Sequence, residues 1–163
     1  MRLLLASVLA LTFTATSALA AETLINPLAP LAFMTGDWMA SDSSGAGAGG
    51  DSSIHADLQG RLLVRRDHVL VRTGGAFDIF MVVYAEGGRL RAEFIDTEGH
   101  VIHYAVTPGP GPSAVFEAPG SAQAPGFRLS YAQAAADRLH IRFEIAPPGG
   151  VYKTYSEGDL ARR

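Results

Sequence analysis

Short runs rich in branched and aromatic residues recur along this chain, each stopped by glycine or proline before a helix could propagate. That rhythm constrains the fold more than any motif. The segments 54–58, 62–72, 77–85, 89–96, 100–107, 114–118, 127–131, 138–145 and 151–160 are separated by Gly74-Gly75, Gly87-Gly88, Glu98-Gly99, the 108–112 proline-glycine run, Pro119-Gly120 and the 147–150 run. Short strands at regular spacing with turn residues between them predict an all-β sandwich or barrel. Only residues 132–136 have a helix-friendly composition, and they amount to one turn.

Residues 1–20 carry Arg2, an apolar run over 3–13 and then Ala18-Leu19-Ala20. This is the pattern of a secretory signal peptide, and its apolar run is too short to span a bilayer. Cleavage after Ala20 and export to the periplasm or the medium, as in a Gram-negative cell, are expected. The chain contains no cysteine, so neither the lipid anchor of a bacterial lipoprotein nor a disulfide is expected and stability must come from the core. The full chain has a formal net charge of −3, one unit more negative without Arg2. A mildly acidic chain lacks the basic footprint of a phosphate-backbone binder, so nucleic acid is not an expected partner.

Residues 21–34 form an N-terminal arm in which Pro27 and Pro30 forbid a long helix, while Leu28, Leu31 and Phe33 could plug one end of a barrel. A first strand is predicted over 35–40, and a single barrel domain over 35–163. Residues 41–53, drawn from Ser, Gly, Ala and Asp, are predicted to be a mobile, disordered loop. Within them, residues 45–50 formally match G-x-G-x-x-G, but no helix-forming sequence follows as a dinucleotide site requires.

Strand register follows from two turns. If residues 97–99 are a three-residue hairpin loop, Asp96 lies opposite His100, Phe94 opposite Ile102 and Ala92 opposite Tyr104. Leu90, Ala92, Phe94, Ile102, Tyr104 and Val106 then share an apolar, inward face, while Glu93 and His103 pair outside. A two-residue turn at Gly87-Gly88 sets Glu86 against Arg89 and carries the register to Val83, Met81, Ile79 and Phe77. Phe80, Val82 and Tyr84 make the opposite face of that segment apolar too, so its inward face stays open. In the 138–145 segment, His140 alternates with Leu139 and Ile141 and is expected to face solvent.

The segments Phe33-Met34-Thr35-Gly36-Asp37-Trp38, Gln59-Gly60-Arg61-Leu62-Leu63-Val64-Arg65-Arg66, 94–102 and Tyr155-Ser156-Glu157-Gly158-Asp159-Leu160 together resemble the small lipocalin-like secreted bacterial proteins of the calycin superfamily, a family of unknown function. The resemblance implies an antiparallel up-and-down barrel of about eight to ten strands around a central cavity. It also implies that Trp38 on the first strand is covered by a late arginine, Arg162 or Arg163. No catalytic residue comes with it. The haem-binding nitrobindins, a neighbouring group, use a histidine near the C-terminal end. None follows His140 here, so no cofactor is expected.

The candidate binding wall is therefore Phe77, Ile79, Met81, Phe94, Ile102 and Tyr104, with Asp96 and His100 at its rim. An apolar concavity with a few polar groups is how small-molecule sites are built, and the expected partner is a small apolar or amphipathic molecule. Side chains that simply fill a closed barrel are the plainer reading. An isomerase or hydrolase using His100 and Asp96 as an acid-base pair is the alternative, and a ligand-free envelope assembly partner is a third. His100 and His103 lie three apart on a strand and point to opposite faces, so no metal site is expected. His68, within Arg65-Arg66-Asp67-His68, reads as part of a solvated edge. No metalloprotease, nucleophile-elbow or phosphate-loop sequence is present.

Overall fold

A computed structural model describes residues 26–45 and 47–163, with residues 42–45 and 47–48 described by their backbone alone. Residues 1–20, the expected signal peptide, and residues 21–25 of the arm lie outside the described residues.

The fold is a closed antiparallel barrel of ten strands. They are β1 (Gly36–Gly45), β2 (Gly47–Asp57), β3 (Leu62–Val71), β4 (Ala76–Glu86), β5 (Arg89–Asp96), β6 (Val101–Pro108), β7 (Ser113–Ala118), β8 (Gly126–Ala135), β9 (Arg138–Ala146) and β10 (Lys153–Arg162). Each strand pairs with the next in sequence and β10 pairs with β1, so no edge is left exposed. The registers read from the turns hold: Phe94 faces Ile102, Ala92 faces Tyr104, Glu93 faces His103 and Glu86 faces Arg89.

Two expectations fail. Residues 41–45 and 47–53 are not a loop but most of a β1–β2 hairpin. Ser43, Ser44 and Gly45 pair with Gly158, Glu157 and Ser156, and Gly50 to Ser53 pair with β3. Poor intrinsic strand preference is overridden because the backbone of this stretch finds partners on both sides. The glycines fit it closely: Gly50 has φ +127°, and a Cβ there would run into the carbonyl oxygen of His68. Residues 132–136 do not make a helical turn either. Residues 132–135 end β8, where Ala132 pairs with His140 and a register shift follows Gln133.

Alternation settles the face of β4 that was open. Met81 and Val83 are buried inside. Phe80 points outward beneath the Arg66 guanidinium, whose central carbon is 4.7 Å from the ring centre. The described part of the arm forms a 3-10 helix, Ala29–Met34, with Pro30 in its first turn, that packs against β7 and β8. Leu28, Leu31 and Met34 join Trp38, Phe116, Tyr131 and Leu139 in the core, closing that end of the barrel, while Phe33 is partly buried against them.

The β1–β10 seam explains the spacing Gly36-x-Trp38. Trp38 is fully buried and pairs with Arg162, whose guanidinium carbon lies 4.3 Å from the indole centre. Arg162 also donates to the Thr35 carbonyl at 3.2 Å, and Trp38 Nε1 donates to the Met34 carbonyl at 2.9 Å. A Cβ on Gly36, which sits at φ +141°, would collide with the Arg162 guanidinium. The arginine can therefore lie across the indole only if residue 36 has no side chain.

Candidate functional site

Ten strands enclose more space than eight, and the interior is packed at one end only. At the other lies a cavity of about 450 Å³. Antiparallel neighbours place the late residues of β3, β5 and β9 and the early residues of β4, β6 and β8 at the same end. The lining has that order: Val69 and Val71, Phe94, Ile141 and Phe143, then Phe77 and Ile79, Ile102, and Phe127 and Leu129. The wall from β10 through β1 to β2 includes small residues, Ser156, Gly158, Ala40, Gly49, Gly50 and Ser52, beside the larger Tyr155 and Leu160. Space remains where these small side chains stand in the lining. Gly49 to Ser52, from the low-complexity stretch that looked like a loop, are thus part of the cavity wall.

Seven of the eight sequence-predicted residues line this space: Phe77, Ile79, Phe94, Asp96, His100, Ile102 and Tyr104. Met81 does not. It is fully buried and belongs to the packed core below the cavity.

Asp96 and His100 do meet at the rim, with Oδ2 of Asp96 2.9 Å from Nδ1 of His100. The other Asp96 oxygen accepts from the backbone N–H groups of Glu98 at 3.0 Å and His100 at 2.9 Å. That arrangement closes the hairpin loop, and it accounts for the carboxylate without further chemistry. Ligand atoms of Asp96, Glu98 and His100 all fall within 4.8 Å of one another, but the same turn contacts already occupy Asp96.

The strongest polar feature is one that the sequence reading left unplaced. Arg65 and Asp67 point into the barrel and are 6% and 7% exposed. Arg65 Nε donates to Asp67 Oδ1 at 2.8 Å, Nη2 donates to Asp67 Oδ2, and Nη1 donates to the Tyr131 hydroxyl. Burial alone would pull the Arg65 guanidinium down, but Asp67 and the tyrosine oxygens outweigh it and hold it above its ordinary range. Burial likewise raises the Tyr131 and Tyr104 hydroxyls, against the opposing pull of Arg65. Both phenols therefore stay protonated at any physiological pH. Tyr104 Oη and Ser52 Oγ are buried and have no hydrogen-bond partner among the described residues.

A signal for the inward pair was present. In the β3–β4 ladder Arg65 lies opposite Met81 and Asp67 opposite Ile79, two residues whose inward face had been considered. Opposite charges two apart on one strand share a face, so β4's register carries both inside. His68, the next residue, is exposed and bonds Asp78 at 2.7 Å.

On the outer wall, His103 bonds Glu93, which also accepts from the Tyr84 hydroxyl at 3.1 Å. His140 lies on the outer side of β9 but is half-buried rather than solvated, held between Asp159 and Glu157 at 2.8 Å each. The Asp159 and Glu157 hydrogen bonds outweigh burial and raise its pKa above the ordinary value.

Fold and cavity together define a closed ten-stranded antiparallel barrel with a mainly apolar interior space and a buried ion pair within it. No family model matches the chain, and no curated protein matches it. Among the described residues, no helix is long and apolar enough to cross a membrane.

Proposed function

We propose that this protein is an exported, lipocalin-like binding module that holds a small amphipathic molecule inside its barrel. The observation that carries this reading is the cavity of about 450 Å³, within the size range of small-molecule sites, with aromatic and aliphatic walls and a few convergent polar groups. The leader-like residues 1–20 and the segments resembling lipocalin-like secreted proteins support export and the calycin relationship. The Asp96–His100 contact is given no catalytic role, since the loop it closes accounts for it.

Titration with the apolar dye N-phenyl-1-naphthylamine tests this. Saturable, one-to-one fluorescence enhancement is expected, weakened by Ile141→Phe and abolished by Ile141→Trp, which place added volume in the cavity. Val101→Trp, on the exposed outer face, serves as the control. No enhancement, or equal enhancement in all variants, would overturn interior binding. Cell fractionation with an antibody to the chain tests export, and retention in the cytoplasm would contradict it.

A further inference from the structure

We propose that the floor of the cavity recognises an uncharged hydrogen-bonding headgroup, a hydroxyl or a carbonyl, and that the amphiphile enters head first with its chain toward the mouth. This rests on the binding reading above and goes beyond it by naming the ligand class and its orientation.

The floor is built by Ser52 on β2, Arg65 and Asp67 on β3 and Tyr104 on β6, all lining the cavity, with Tyr131 on β8 behind Arg65. The one fixed cation there is already matched by a fixed anion through two parallel hydrogen bonds. An incoming carboxylate would shed its water to meet Arg65 but would face the Asp67 carboxylate at the same point. An ammonium would meet the reverse conflict with Arg65. Neither gains an uncompensated counter-charge, and both lose hydration that such a site does not replace. A hydroxyl or carbonyl sheds far less, and two protein hydroxyls await it.

Those two hydroxyls are the second observation. Tyr104 is 1% exposed and Ser52 is 5% exposed, and neither hydroxyl has a partner among the described residues. Buried polar groups are nearly always paired, so a pair of orphans lining one cavity points to a ligand group between them. Tyr104 is also held rigidly. Its ring meets Phe94 edge-on at 6.4 Å and Phe116 at 6.2 Å, so its hydroxyl is presented with little freedom left to lose. Above the floor the walls are Phe77, Ile79, Phe127, Ile141 and Phe143, which suit an alkyl or ring-bearing tail.

Displacement of N-phenyl-1-naphthylamine by 1-decanol, decanoate and decylammonium at pH 8 is the test. On the wild-type protein 1-decanol is expected to compete about tenfold more strongly than either ion, the scale of one well-made buried hydrogen bond. Tyr104→Phe is expected to erase most of that preference, with circular dichroism confirming the fold. Asp67→Asn, which leaves Arg65 uncompensated, is expected to shift the preference to decanoate. His103→Gln, on the outer face, is expected to change nothing. Should Asp67→Asn not fold, the Tyr104→Phe comparison decides alone. Decanoate competing best on the wild type, or an unchanged preference in folded Tyr104→Phe, would overturn the proposal and mark the floor as a hydrated polar node only. Failure of the dye itself to bind would instead overturn interior binding, and this proposal with it.

Discussion

Arg65 and Asp67 carry the heaviest energetic stakes of any two side chains in the barrel. A buried ion pair stabilises little relative to apolar residues of equal size, yet removing one partner strands the other charge in a low-dielectric interior. Arg65→Met is therefore expected to cost about 3–5 kcal/mol, whereas Arg65→Met combined with Asp67→Leu recovers most of that loss. Urea unfolding of both variants measures it, and a double variant less stable than the single would refute the inward assignment. Their burial was hard to read because Arg65-Arg66-Asp67-His68 is polar on both faces, which removes the hydrophobic alternation that reveals direction. By contrast Phe94, Ile102 and Tyr104 alternate with Glu93, Val101 and His103, so a single turn at 97–99 was enough to orient them. Met81 shows the limit of alternation. It gives the correct side of the strand but not the depth along the barrel at which packing ends and the cavity begins.

Between elements, the seam where β1 meets β10 depends on three residues acting together. Gly36→Ala puts a methyl group where the Arg162 guanidinium lies, and Arg162→Ala uncovers the indole. Each is expected to destabilise by about 0.5–2 kcal/mol, the range of a desolvated cation–indole contact, and to red-shift the emission of Trp38, the single tryptophan. Unchanged emission in Arg162→Ala would contradict the seam geometry. On the neighbouring β9–β10 pair, His140 has a raised pKa when folded, so its contribution is fully present below its unfolded value of 6.5 and is lost as pH rises through the higher folded value. Glu157, lowered chiefly by Arg142 and then by His140, contributes above its unfolded value of 4.5 and loses that contribution as pH falls through the lower folded value. Stability from this cluster is therefore expected to be greatest between those two unfolded values. His140→Gln should flatten the decline above pH 6.5 in thermal-unfolding profiles, and a decline that persists unaltered would assign it to other groups. The seam was legible through the resemblance, because a glycine, a tryptophan and a late arginine mark it. The β1–β2 hairpin beside it was not, since glycine and serine form strands only when neighbouring backbones hold them there.

As a whole molecule, the barrel is asymmetric along its axis: a 3-10 plug and large side chains fill one end, and the other holds a cavity whose wall includes Gly, Ala and Ser from β10, β1 and β2. The all-β class was readable because turn residues punctuate the chain at nearly every hairpin, whereas antiparallel order and closure were expected from the resemblance. Whether the interior is full was not readable, since volume depends on which residues face one another across the barrel rather than along a strand. Intermolecular nuclear Overhauser effects between 1-decanol and methyl-labelled protein test the occupied interior most directly. Contacts are expected from the alkyl chain to Ile79, Ile102, Leu129 and Ile141, all on the cavity wall. Contacts confined to Ile95 and Val101 on the outer face, or none at all, would contradict it.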